Sequence, residues 1–194
     1  MIDHLPVLLV TIPLIAAPFC LILRQRELVR LFATAVAVGC LLMSLAIINH
    51  LMSTGETALH ARHILYNTAG WAPPMGIQLK VDLLNAFILL IVSGIATVVM
   101  PYGLGLPNVS GPQGKEYFFY AAMLLCLCGL IGITVTGDAF NVFVFVEIAS
   151  LSSYTLISMG TTRNAKMAAF SYLVMGTIGG TFILTGIGFL FAAT

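Results

Sequence analysis

The sequence predicts an all-α membrane protein with about six transmembrane helices and a short external β-hairpin. Hydrophobic residues make up 60% of the 194-residue chain and charged residues only 8%, whereas a soluble domain averages about 25% charged residues. Apolar runs of about 18 or more residues, long enough to cross a bilayer, recur along the chain. The net charge of +1 comes with no cluster of basic residues, so we expect no nucleic-acid partner.

Each apolar run can cross the roughly 30 Å hydrocarbon core of a bilayer. The first run contains Pro13 and Pro18, which predict a bend that neighbouring helices can accommodate. The last run is the longest and is expected to tilt. We therefore expect one transmembrane domain over residues 1–194, with helices at about 5–23, 31–48, 83–100, 117–135, 139–159 and 167–193.

The connection between the second and third runs predicts a β-hairpin at about 60–82. Two short runs flank a turn-forming centre that contains glycine and two prolines. Trp71 lies in that centre and is expected at the membrane interface, where indole rings settle. The connection at 102–115 is rich in glycine and proline and predicts a loop.

The basic residues predict the orientation of the helices, because Lys and Arg in short loops stay on the cytoplasmic side. Arg62 and Lys80 fall on one side of the six-helix arrangement. Both termini are therefore expected on that outer, periplasmic side of the cell inner membrane. The opposite side carries Arg24, Arg26, Arg30, Lys115, Arg163 and Lys166.

Glu147 is the strongest candidate for a functional residue, as an intramembrane proton carrier. It lies nine residues after Asp138, which is the expected start of the fifth helix, and so about 13 Å along the helix axis. A carboxylate at that depth costs on the order of 3 kcal/mol, and such acids are functional by default. The alternative is that Glu147 only joins helices, paired with a lysine or a backbone group of a neighbouring subunit.

A stripe of hydroxyl groups accompanies Glu147 on the fifth helix. At 100° per residue, Ser150, Tyr154 and Ser158 fall within about 60° of Glu147. They are candidates to line a proton pathway, although such hydroxyls also commonly bond to their own backbone. Lys166 is a further pathway candidate, and the alternative is that its ammonium reaches to the cytoplasmic interface.

Several other polar residues have ordinary structural interpretations. Asp138 and Asp82 precede apolar runs and are expected to cap helices. His60 and His63 could share a metal ion, but no Cys or carboxylate cluster completes a site, so we predict no metal site. The glycines from Gly176 onward suggest close helix packing of an unspecific kind.

The sequence contains no nucleotide-binding loop, nucleophile triad, haem motif or iron–sulfur spacing. We therefore expect no cofactor and no enzymatic activity of the chain by itself. Redox chemistry would have to belong to a partner.

Three segments resemble one family of membrane proteins. The run from Gly129 to Tyr154 is similar to the central signature of the proton-translocating antiporter-like subunits. These occur in Mrp-type multisubunit cation/proton antiporters, respiratory complex I and membrane-bound hydrogenases, and the D-type component of the Mrp antiporters is the most similar. The segments 76–87 and 168–179 extend the resemblance over nearly the whole chain.

The resemblance implies that Glu147 corresponds to the fifth-helix glutamate that moves protons together with a lysine on a broken seventh helix. Family members have about fourteen helices in two inverted repeats, so this chain matches their N-terminal portion. The lysine would lie beyond Thr194. Ser171 falls where many relatives carry Lys or Arg, which weakens a charge relay through the sixth helix.

The sequence thus predicts a proton-pathway subunit of a multisubunit membrane complex, foremost a Mrp-type cation/proton antiporter. Expected partners are the lipid bilayer, H⁺ with Na⁺ or K⁺ as the exchanged ion, and other membrane subunits, one of which supplies the later helices with their lysine. The alternatives are an antiporter-like subunit of a complex I-like or hydrogenase-type redox-driven pump, and a truncated scaffold that translocates nothing.

Overall fold

The computed structural model describes residues 4–23, 25–53, 63–70, 76–102 and 116–193. The predictions that concern Arg24, His60, Arg62, Trp71 and the segment 103–115 lie outside these residues. The described residues form six helices long and apolar enough to cross a membrane, together with a two-stranded antiparallel sheet. The predicted fold class is confirmed.

The helices match the apolar runs, with small differences at the ends. Helix α2 begins five residues before the expected start and includes Arg26 and Arg30, and α6 begins at Arg163 and includes Lys166. The hydropathy pattern stops at the charges, but the helical hydrogen bonds continue through them. The helices are α1 (Leu5–Ile22), α2 (Arg26–Ser53), α3 (Leu83–Tyr102), α4 (Glu116–Val135), α5 (Ala139–Ser158) and α6 (Arg163–Ala193).

The core of the bundle is centred on α4. This helix packs against α1, α3 and α5 and, over a smaller area, against α2. Its buried side chains include Tyr120, Leu124 and Ile131, which belong to one hydrophobic cluster with Leu9 of α1 and Leu89 of α3. Helix α6 differs: among the described residues, its one extensive contact is with α5. Only Ala169 and Gly180 of α6 are buried.

The hairpin lies at the end of the bundle where α4 stops and α5 begins. Strands β1 (His63–Asn67) and β2 (Gln78–Asp82) pair antiparallel, as predicted for this segment. Gly137 N donates a hydrogen bond to Gln78 O over 2.9 Å, between β2 and the α4–α5 turn. Asp82 then caps α3, because its Oδ1 accepts a hydrogen bond from Asn85 N at 2.8 Å.

Candidate functional site

The start of α5 is fixed by Asp138, which sets the depth of every residue that follows. The Asp138 backbone is extended, and its Oδ2 accepts a hydrogen bond from Asn141 N at 3.1 Å, which is the N-cap arrangement predicted from the sequence. Asn141 Nδ2 also donates to Thr136 Oγ1 at 2.9 Å. The helix of 20 residues is about 30 Å long, so Glu147 lies near its middle.

The Glu147 side chain lies at the contact between α5 and α6. It is half-buried, and a Cβ built on Gly180 would overlap its Oε1 and lie 3.3 Å from its Cδ. Phe143 Cε2 would be 3.6 Å from the same Cβ. No side chain of the described residues donates a hydrogen bond to Glu147, and no described cation lies within 4.0 Å of it. The carboxyl group therefore lies against the α6 backbone with an aromatic ring beside it.

Tyr154 lies two turns further along α5 and also faces α6. Its side chain is buried, with 8% of its surface exposed. Its ring meets the Tyr172 ring edge to face, with centroids 5.0 Å apart and an angle of 83°. A Cβ built on Gly176 would overlap the Tyr154 hydroxyl and lie 2.7 Å from Cζ. Tyr154 and Glu147 therefore contact the same face of α6.

A groove between α5 and α6 brings three of the predicted pathway residues together. Its volume is about 310 Å³. The turn between the helices reverses the chain, so that Ser158 near the end of α5 and Lys166 near the start of α6 share the groove with Tyr154. Its remaining lining is mostly apolar: Leu151, Thr155, Ala169, Phe170 and Leu173.

The predicted hydroxyl stripe is not uniform. Ser158 is exposed, and its Oγ donates to Thr155 O at 2.7 Å. Ser150 is half-buried and is not among the groove residues. Ser152 and Ser153 also donate to backbone carbonyls of their own helix, over 2.6 and 2.8 Å. Tyr154 is therefore the hydroxyl that links the groove to the α6 contact on which Glu147 lies.

The described charged residues outside this site are concentrated at the two ends of the bundle. At the end opposite the hairpin, Arg26 Nε lies 3.3 Å from Glu116 Oε1 and Arg30 pairs with Glu27 at 2.6 Å. Lys80 lies at the hairpin end. The distribution of described charges is compatible with the predicted orientation, which remains a prediction.

The described histidines do not belong to a metal-binding cluster. Among the described residues, no group of three or more His, Cys, Asp or Glu side chains could hold a metal ion. His63 is exposed in β1, and the His4 ring packs against Tyr66 with centroids 5.5 Å apart. The suggested pair of His63 with His60 involves a residue outside the described ranges.

Sequence reasoning missed the role of two glycines at this site. Their pattern in the sequence indicates only unspecific packing, yet Gly176 and Gly180 are the α6 positions against which Tyr154 and Glu147 lie. Their spacing of four residues places them on one helix face. That four-residue spacing is the sequence signal that groups the two glycines. Only the rotation of α6 relative to α5, which the structure gives, shows that they face Tyr154 and Glu147.

The described residues define a class: a membrane protein with six long apolar helices and a carboxylate near the middle of α5, at its contact with α6. Sequence comparison finds relatives over the full length of the chain. The chain is 37% identical over its full length to NADH-quinone oxidoreductase subunit N of Desulforudis audaxviator, covering 38% of that protein. It is 27% identical over 99% of its length to the D-type component of the Na⁺/H⁺ antiporter of Bacillus subtilis, covering 37% of it. No family model matches the chain.

Solved structures agree with these matches. A chain of the membrane-bound sulfane sulfur reductase, an archaeal respiratory membrane complex, superposes on 98% of this chain with a TM-score of 0.85 and 28% identity, and the match covers 38% of that chain. A chain of the Mrp complex from a Dietzia species gives a TM-score of 0.84 at 22% identity, a likeness of fold.

Over its full length, the chain is therefore similar to antiporter-like membrane subunits. It spans just under two fifths of the length of the two curated relatives named above.

Proposed function

We propose that this chain contributes a proton pathway to an antiporter-like subunit of a multisubunit membrane complex, with Glu147 as the proton carrier. The observation that carries the proposal is the place of Glu147: mid-depth on α5, against α6, with no cation or hydrogen-bond donor from the described residues beside it. A carboxyl group in that setting is available to exchange a proton or to meet a charge supplied by another segment.

The groove supports a route from the basic end of the bundle towards Glu147. Lys166 and Ser158 line it near the turn between α5 and α6, and Tyr154 lines it about one helical turn further from that turn. Tyr154 is seven residues from Glu147, about 10 Å along the helix, so water would have to complete the path. The hydroxyl and ammonium groups provide donors and acceptors for such a chain.

Replacing Glu147 with Gln in the membrane complex that contains the chain tests the proton carrier. The substitution keeps the shape of the side chain and removes its ability to ionise. Proton flux, followed with a pH-sensitive dye in inverted vesicles, should fall by about 100-fold or more, as when a proton-transfer group is lost. Glu27→Gln is the matched control, because Glu27 is exposed in the first turn of α2 and its variant should keep full flux.

Unchanged flux with normal assembly of Glu147→Gln would contradict the proposal and favour a scaffold that translocates nothing. Loss of the complex from the membrane would instead favour the interpretation in which Glu147 only joins subunits. The amount of assembled complex, measured on native gels, separates these outcomes.

A second pair of variants tests the groove. Lys166→Met should lower proton flux several-fold if the ammonium assists proton entry. Lys80→Met makes the same chemical change on an exposed hairpin residue and should leave flux unchanged. Equal fluxes in the two variants would exclude Lys166 from the pathway and leave it an interfacial residue.

Two host complexes are candidates. The signature from Gly129 to Tyr154 favours a Mrp-type cation/proton antiporter, for which Na⁺ or K⁺ would be the exchanged ion. The 37% identity to an NADH-quinone oxidoreductase subunit favours a complex I-like pump driven by redox chemistry in partner subunits. Proton flux driven by a Na⁺ or K⁺ gradient without an electron donor would support the antiporter, and flux that requires a donor would support the pump.

In either complex, other membrane subunits or segments would supply the lysine that the family resemblance pairs with Glu147. Mass spectrometry of the purified complex would identify those partners.

A further inference from the structure

Helix α6 carries two glycines that differ from its other glycines in what they face. A Cβ on Gly180 would overlap Glu147 Oε1, and a Cβ on Gly176 would overlap the Tyr154 hydroxyl. Gly179, which is adjacent in sequence, has nothing within 4 Å of the position of its Cβ. The absence of a side chain therefore matters at Gly176 and Gly180 and not at Gly179.

The atoms that lie against Gly176 and Gly180 are the polar ends of long side chains. Where small residues serve helix packing alone, they let two backbones approach. The contact between α4 and α5 is of that kind, because the atoms nearest a Cβ on Gly129 are Ala149 N at 2.6 Å, Ala149 Cβ at 2.8 Å and Ala149 Cα at 2.9 Å. On α6, the space left by Gly180 holds a carboxylate oxygen instead.

We propose that Gly180 is a positioning residue for Glu147: it leaves the space beside the α6 backbone in which the carboxyl group lies, and so fixes the distance over which the proton moves. Gly176 does the same for the Tyr154 hydroxyl, one helical turn away on the same face. The inference rests on the proposed function of Glu147 as a proton carrier.

A methyl group at position 180 would force the carboxylate out of this space. The overlap is with the far end of a flexible side chain, so Glu147 would turn to another rotamer and α5 and α6 could stay packed. The carboxyl oxygen would then lie an ångström or more from its original position, and displacements of that size lower transfer rates by about tenfold to 100-fold.

The experiment compares Gly180→Ala with Gly179→Ala in the complex that contains the chain. Both variants add one methyl group to adjacent positions of one helix, so they share any effect on helix propensity. Gly180→Ala should lower proton flux by about tenfold or more, and Gly179→Ala should leave it unchanged. The infrared carboxyl band of Glu147, identified by its loss in Glu147→Gln, should shift in Gly180→Ala only.

The possible results separate the two proposals. If Glu147→Gln leaves flux unchanged, the proposed function fails, whatever the glycine variants do. If Glu147→Gln lowers flux but Gly180→Ala matches Gly179→Ala in both flux and infrared band, the positioning role is wrong and the proton carrier stands.

A double variant decides the case in which Gly180→Ala does not assemble. Adding Glu147→Ala removes the carboxylate that the new methyl group would overlap, so the amount of assembled complex should return to that of Glu147→Ala alone. Failure of this restoration would overturn the inference, because the defect would then come from a contact other than the one with Glu147.

Discussion

Helix α5 packs against a glycine-containing helix on each of two faces, and the two contacts differ in which atoms lie against the glycines. On the α4 face, Gly129 admits the Ala149 backbone. On the α6 face, Gly180 admits the Glu147 carboxylate. A small residue in a sequence therefore indicates that two helices approach closely, but not whether a backbone or a functional group lies at the contact.

The surroundings of the two contacts differ as well. Helix α4 is the most buried of the described helices. Helix α6 is largely exposed, and its one extensive contact among the described residues is with α5. A change on the α4 face should therefore affect the free energy of unfolding, and a change on the α6 face should affect proton transfer. Four variants test the stability half of this division, from the largest expected effect on stability to the smallest.

Gly129→Ala should be the most destabilising of the alanine variants. Its methyl group would meet the Ala149 backbone at 2.6 to 2.9 Å. Because a helix backbone cannot change rotamer as a side chain does, α4 and α5 must separate. We expect the free energy of unfolding in detergent to fall by about 3 kcal/mol, the upper end for overpacking. Gly94→Ala is the control, because nothing lies within 4 Å of its Cβ position.

Gly132→Ala should cost about 1 to 3 kcal/mol, because its methyl group would overlap the Phe145 ring, including the Cγ at which the ring is attached, so that this side chain must change rotamer. Phe145→Ala removes the ring that the methyl group would overlap, so the two changes together should cost less than the sum of their separate costs. Thermal unfolding of the two single variants and the double variant measures the coupling. Purely additive effects would show that Phe145 is not the residue that Gly132 accommodates.

Asp138→Ala should lower stability by about 1 kcal/mol through loss of the N-cap, with both faces of α5 affected because the whole helix start frays. Hydrogen exchange at the Asn141 amide, which donates to Asp138 at 3.1 Å, should become faster. Asp138→Asn keeps a capping oxygen and should retain most of the stability. Slow exchange in Asp138→Ala would show that another group holds the first turn.

Gly186→Ala should have the smallest effect and the opposite sign. Nothing lies within 4 Å of its Cβ position, so the gain in helix propensity, up to about 1 kcal/mol, should appear as a slight stabilisation. A marked destabilisation would reveal a contact of α6 with another chain or segment when measured in the assembled complex.

The transmembrane helices were predictable because lipid allows few arrangements of an apolar chain. The ends of α2 and α6 were not, since Arg26 and Arg163 remain helical beyond the apolar window. The hairpin followed from two short runs around a turn-forming centre. These are local properties of the sequence.

The site was only partly predictable. The depth of Glu147 followed from its distance to Asp138 along one helix. Its contact with Gly180 depends on how α6 is rotated and shifted against α5. A single sequence does not specify that rotation directly. The groove that joins Ser158 to Lys166 likewise depends on the path of the turn between the helices.

The bond between Gly137 and Gln78 has a consequence for the order of assembly. It joins the hairpin to a turn that is synthesised only after α3 and α4. Contacts between residues far apart in sequence form late, so β2 must wait for α4 to cross the bilayer before the isolated bridge between Leu79 and Thr136 can form. The hairpin should therefore reach its final protection from proteases only when the start of α5 has left the ribosome.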